Sequence, residues 1–196
     1  MTTSSETKLA PPMTVEEFHV WKGDGTGKRY ELVHGTLREL EPSSDTHGTI
    51  HASIANLISG HLRKALPGYR TVINPGIETR LSARWNYRVA ELGVTATPNR
   101  ADVHMMPAPI VLVEVLSATN AADTWSNIAL FATVPSIAEI LIVDSTKVAA
   151  EVLRRGDDGH WPSNPQAIGP GGTIRLGSIG LDVPLAEAYR RTHLAP

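Results

Sequence analysis

The stretch "PIVLVEVLSATN", Pro109 to Asn120, decides the fold. Its residues Ile110, Val111, Leu112, Val113, Val115 and Leu116 are aliphatic and do not alternate with polar ones, the pattern of a strand buried on both faces. One carboxylate, Glu114, stands in the middle of the run. Burying an unpaired carboxylate is costly, so Glu114 calls for a cationic partner, a metal or a proton.

The elements on either side of this strand give a mixed order. Downstream, "AADTWSNIALFATV" (121–134) predicts a helix carrying Trp125, Ile128, Leu130 and Phe131 and ending before Pro135. "IAEILIVD" (137–144) and "KVAAEVLRR" (147–155) predict an antiparallel pair around Asp144-Ser145-Thr146. A Gly/Pro-rich loop (156–172) leads to "TIRLGSIGLDV" and a short terminal helix, "PLAEAYRR". Upstream, strand-like segments lie near 69–74, 76–82 and 87–95. Before them "DTHGTIHASIANLISGHLRKAL" has Ile50, Ile54, Leu57, Ile58 and Leu62 at helical spacing, with Pro67-Gly68 as the stop. "RYELVHGTLREL" (29–40) reads as a hairpin around His34-Gly35. Thr14 and Glu17 have capping-box spacing and open a short helix that runs to about Trp21 and is ended by "GDGTG". Residues 1–12, rich in Thr, Ser and Pro, read as a loose tail, and 13–196 as a single domain. A central sheet with a few flanking helices places the chain in the α/β (α+β) class.

Composition sets the bounds on function. The chain has 196 residues, 41% of them hydrophobic and 19% charged, which is a globular composition with enough interior for one core. A formal net charge of -2 gives no overall basic footprint, so nucleic-acid binding requires a local patch. The absence of cysteine excludes disulfides, zinc-thiolate sites and Cys nucleophiles, and is compatible with a reducing cytoplasm, the expected location. "MTTSSETKLAPPM" lacks the apolar core of a signal peptide, and no stretch is long enough to span a membrane.

The Glu114 problem recurs twice. Glu31 lies between Tyr30 and Leu32 in "YELV", and Glu91 between Ala90 and Leu92 in "VAELGV". Convergent carboxylates on strands suit a hard divalent cation such as Mg²⁺, which takes one or two of them and keeps water for the rest of its shell. The alternative is that each Glu is the polar side of an alternating strand. That alternative is strongest for Glu31, which has Arg29 two residues away on the same strand face, and weakest for Glu114, which has no basic neighbour.

At this point the chain resembles a bacterial restriction-endonuclease family of the PD-(D/E)XK nuclease superfamily, over about Thr14 to Tyr189. "RYELVHGTLRELEPSSDTH" resembles that family's opening strand, Gly turn and Pro-Ser segment ending in His. "YRVAELGV" stands where the family has an Arg-x-Pro-Asp strand, and "VLVEVLSATNAADTWSNIALFATV" resembles its Glu-Val-x-Ser strand and Asp-bearing helix. The resemblance implies a restriction-endonuclease-like mixed central β-sheet flanked by helices, with an N-terminal β-hairpin extension. It further implies DNA phosphodiester hydrolysis with Mg²⁺ (or Mn²⁺). Position by position, Glu91 and Glu114 take the metal-binding roles, Glu31 is an accessory metal-side carboxylate, and Asp123 matches the acidic residue that starts the helix.

Two departures accompany the resemblance. The family's Pro-Asp is Ala90-Glu91 here, one methylene longer. The family lysine, four residues after the helix Asp, is Asn127, and the other usual position holds Leu116. No Lys or Arg occurs from Ala101 to Thr146. Asn127 can hydrogen-bond a water but supplies no positive charge. Arg88 is on the Glu91 strand at an unfavourable odd offset, and Arg80 or Lys147 could reach the site only through the fold. Two readings therefore stand: a metal-dependent endonuclease, or a non-catalytic DNA-binding or protein-interaction module, as a homodimer in one version.

The remaining motifs are weaker. His47 and His51 have i,i+4 zinc-ligand spacing without an HExxH pattern, and a solvated helix face is the simpler reading, with His47 near the site by resemblance. "GDGTGK" (23–28) lacks the P-loop ending and reads as a turn. Ser117 and Ser126 have no GxSxG context, His104 reads as a loop residue, and Asp144 as a turn cap.

Overall fold

The computed structural model describes residues 12–195, so the expected loose tail falls, apart from Pro12, outside the described residues. Helix α1 (Val15–Val20) starts with the expected capping box: the Glu17 amide donates to Thr14 Oγ1 and the Thr14 amide to the Glu17 carboxylate. Strands β1 (Tyr30–Val33) and β2 (Thr36–Glu39) form the hairpin. Its turn residues His34 and Gly35 both have positive φ, 50° and 80°, which matches the right-handed twist of the strands. Helix α2 (Asp45–Ala65) is capped by Ser44 and buries Ile50, Ile54, Ile58 and Leu62. Each such side chain contributes about 1.5–3 kcal/mol by leaving water.

Next come β3 (Arg70–Ile73), β4 (Gly76–Glu78), β5 (Tyr87–Val89) and β6 (Leu92–Thr95), then β7 (Val111–Leu116), α3 (Ala121–Phe131), β8 (Glu139–Asp144) and β9 (Ala150–Arg154). The chain closes with β10 (Gln166–Ile168), β11 (Thr173–Leu176), β12 (Leu181–Pro184) and α4 (Ala186–Tyr189). A six-stranded sheet runs β10-β9-β8-β7-β6-β3, with β7 and β8 parallel and the other pairs antiparallel. A four-stranded sheet runs β2-β1-β5-β4, and β11-β12 form a third, small ribbon. This is the expected mixed α+β architecture. The hairpin is not an isolated extension but one half of the four-stranded sheet.

The opening stretch is β7, and its alternation sorts the two layers. Val111, Val113 and Val115 pack with α2, whereas Leu112 and Leu116 pack on the side of α3, with Ile128 and Phe131. Glu114 has the parity of Leu112 and Leu116, so it occupies a core slot on the α3 side, opposite Ile142 of β8.

Two expected strands are interrupted for one shared reason. Residues 70–78 pair with 87–95 as one antiparallel ribbon, and the ribbon bends at Asn74-Pro75 and at Ala90-Glu91. Asn74 is left-handed (φ 47°), and Pro75 has no amide to donate. Beyond the bend β4 and β5 join the four-stranded sheet, while β3 and β6 stay in the six-stranded one. The segment expected to extend to residue 82 is strand only through Glu78 and then turns over Ala83–Trp85. The loop expected over 156–172 contains β10.

At the far end of β8, buried Glu139 accepts from Arg154 Nε (2.9 Å), the Ser178 amide (2.9 Å) and the Gly177 amide (3.1 Å), tying the small ribbon to the large sheet. No helix among the described residues is long and apolar enough to cross a membrane.

Candidate active site

The sequence-predicted residues line one cleft of about 510 Å³, between the hairpin, the first turns of α2, the ribbon bend and the N-terminus of α3. Glu31, Glu91, Glu114, Asp123 and Asn127 all face it. Among the described residues, however, no group of three or more His, Asp or Glu side chains is arranged to hold one metal ion.

Glu114 is 5% exposed, and its Oε1 is a buried oxygen with no hydrogen-bond partner. Burial pushes its carboxyl well above the usual range, the charges of Glu91 and then Glu31 push it further, and the Glu91 backbone amide partly opposes them. The ribbon bend puts Glu91 at the mouth of the cleft instead of inside a strand. There it meets His47 and His51, which the sequence suggested would form a solvated helix face. His47 Nε2 lies 3.2 Å from Glu91 Oε1 and 3.1 Å from the Val115 carbonyl; both neighbours are acceptors, so Nε2 carries the hydrogen. His51 Nδ1 lies 3.5 Å from Glu91 Oε2. Burial pulls the His47 pKa down, but the Glu91 contact and the Val115 carbonyl outweigh it and leave it raised.

Glu31 is engaged by a residue that the sequence reading did not single out. The two-residue turn sets Glu31 directly opposite Arg38 on β2. Arg38 Nε donates to Glu31 Oε1 at 2.6 Å, and the Val89 amide donates to Glu31 Oε2 at 3.3 Å. The same guanidinium reaches α3, where Nη1 pairs with Asp123 and Nη2 donates to Asn127 Oδ1 at 3.0 Å. Arg88, 1% exposed, also donates to Asn127 Oδ1, at 3.1 Å, from behind the cleft and without lining it. Burial lowers the Arg88 pKa, and the nearby Glu31 charge partly restores it. Arg80 and Lys147 do not line the cleft: the Arg80 amide bonds Thr133, and Lys147 lies 3.9 Å from Asp144. His104 sits in the expected loop beside His19, and Asp144 caps the expected turn by accepting from Thr146.

Chemically, the cleft sets an oxygen-rich wall, Glu91 and Glu114, across from a guanidinium tied to two further carboxylates and an amide. Hard oxygen donors with an unsatisfied buried member fit a divalent cation held by a carboxylate pair and water. The donor set contains no sulfur.

Comparison with known proteins places the chain in a family. Over 183 residues the chain is 28% identical to the uncharacterized protein slr1290 of Synechocystis, covering 92% of this chain and 93% of that one. Its fold is similar to the crystal structure of "a putative nuclease belonging to DUF820" from Anabaena variabilis, with a TM-score of 0.69 at 14% identity, covering 91% of this chain and 98% of that one. The family described as "Putative restriction endonuclease" (Uma2) matches residues 15–179, most of the chain, and the protein belongs to that family.

Proposed function

We propose that the protein is a metal-dependent endonuclease that hydrolyses DNA phosphodiester bonds, with Glu91 and Glu114 holding Mg²⁺ or Mn²⁺. The observation that carries this reading is the buried, unpartnered Glu114 Oε1 beside Glu91 in a cleft open to solvent. A bound divalent cation would supply Lewis acidity and a lowered water pKa there. The chain's own residues do the positioning. Glu114 is fixed by the strand pairs on both sides of β7, and Glu91 is fixed by its backbone in the ribbon bend and by His47 and His51 at its oxygens. His47, with Nε2 3.2 Å from Glu91 Oε1, places its N–H against that carboxylate and orients it. Glu31, held by Arg38, adds negative charge behind the pair.

One observation favours the non-catalytic DNA-binding reading: position 127 carries a neutral amide whose oxygen is already occupied by Arg38 and Arg88. One assay separates the two readings. Purified protein is incubated with supercoiled and single-stranded DNA plus Mg²⁺ or Mn²⁺, beside Glu114→Ala, Glu91→Ala and Asn127→Lys. Cleavage by wild type that is lost in both alanine variants supports the nuclease. Cleavage only by Asn127→Lys supports an eroded one. Cleavage that survives Glu114→Ala sinks the metal assignment.

A further inference from the structure

We propose that Arg38 is a phosphate-binding residue of the cleft, and that its guanidinium passes from Asp123 to a DNA backbone phosphate when the nucleic acid enters. The proposal takes its ligand class from the nuclease reading but stands on different atoms. Six carboxylates line the cleft, so a polyanion can approach only if a cation meets it there. Two arginines line it, Arg29 and Arg38, whereas Arg88 is 1% exposed and held on Asn127. Arg38 is 23% exposed at its side chain and comes from β2, the edge strand of its sheet.

The guanidinium has one fixed edge and one exchangeable edge. Nε is anchored on Glu31, whose side chain is only 2% exposed, and that contact sets the plane of the group. Nη1 ends on Asp123, whose side chain is 60% exposed. An ion pair with so exposed a carboxylate is weak, because water competes for both partners. A phosphate diester offers the Nη1–Nη2 edge two oxygens in place of Asp123 and the Asn127 amide oxygen, a geometry that arginine matches and lysine does not. Asp123 therefore acts as a stand-in anion that keeps Arg38 extended until a phosphate replaces it.

The test measures binding without cleavage. Anisotropy of a fluorescein-labelled duplex of about 20 base pairs is followed in EDTA and in Ca²⁺, between about 50 and 200 mM salt. Wild type is compared with Arg38→Met, Arg38→Lys, Asp123→Asn and the Arg38→Met/Asp123→Asn double variant, each checked by thermal melting. Arg38→Met should weaken binding about tenfold and lower the slope of log affinity against log salt by about one. Arg38→Lys should keep the slope while losing part of the affinity. Asp123→Asn, at an exposed position that does not endanger folding, should tighten binding several-fold, and the gain should disappear in the Arg38→Met background. An unchanged slope in Arg38→Met, an equal Asp123→Asn gain in both backgrounds, or no duplex binding by wild type overturns the proposal. If the slopes behave as stated but wild type cuts no DNA, the nuclease reading falls and Arg38 stands. If Glu114-dependent cutting is found with unchanged slopes, the reverse holds.

Discussion

Replacing Glu114 by Gln should make the metal-free protein more stable, not less. The carboxylate occupies an aliphatic slot under α3, has one oxygen without a partner, and faces the charges of Glu91 and Glu31. Its ordinary pKa of 4.5 is raised well above that value on folding. Between the two values the native state holds a proton that the unfolded chain has released, so this group's contribution to stability falls as pH rises through that window. Below about 4.5 both states are protonated and the penalty vanishes. Gln keeps the shape and can still accept from the Glu91 amide, but it carries no charge. An unpaired acceptor buried away from water costs about 1–3 kcal/mol, and more when it is charged. Relief of about 1–3 kcal/mol at pH 8 raises Tm by roughly 2–10 °C in a chain of this size. The assay is a thermal melt by circular dichroism in EDTA from pH 4 to pH 8, repeated with Mg²⁺. The two proteins should converge at the acid end and separate towards pH 8, and Mg²⁺ should stabilise wild type alone. A Glu114→Gln protein that melts below wild type at pH 8 in EDTA, or that gains as much from Mg²⁺, would refute the reasoning.

Three further outcomes follow from the packing. Glu139→Ala leaves Arg154 and the Gly177 and Ser178 amides without their shared acceptor, and should cost about 1–3 kcal/mol in urea unfolding. Gly76→Ala drives a methyl into the ring of Tyr87, which is itself packed between Phe18 and His19, and should cost about 1–3 kcal/mol by the same measurement. Tyr189, fully buried with its hydroxyl donating to the Asp144 and Ala149 carbonyls, is pushed up to about 12, chiefly by burial. Absorbance at alkaline pH should therefore show one tyrosine ionising near that value, and the stability tied to its protonated form should be lost as pH climbs from its ordinary 10 through about 12.

The residues that local rules govern were legible in the sequence. The capping box, the α2 periodicity and the unbroken apolar run of β7 each depend on neighbours along the chain, and each appears where the sequence placed it. The ribbon bend was harder to read, because 87–95 alternates well enough for one strand and nothing within it marks Glu91 as a corner. The cue lay in its partner, where a proline follows an asparagine. His47 was readable but misread: with Ile50 and Ile54 it continues the inward stripe of α2 at i, i+3 and i+7. Arg38 was also within reach. A two-residue turn at His34-Gly35 forces residue 31 opposite residue 38, whereas attention to parity along one strand points to Arg29. What no local rule could supply is the meeting of Arg38 with Asp123 and Asn127, because that depends on how α3 lies over the hairpin.

The bent ribbon has a mechanical consequence. Glu31 and Arg38 ride on the four-stranded sheet and Glu114 on the six-stranded one, and the two-stranded ribbon through Asn74-Pro75 and Ala90-Glu91 is backbone that both sheets share. The gap between the guanidinium and the buried carboxylate is therefore a spring length, set by the stiffness of the four residues at the bend. Arg38, reaching across to α3, is the tie rod that holds the spring at its present extension.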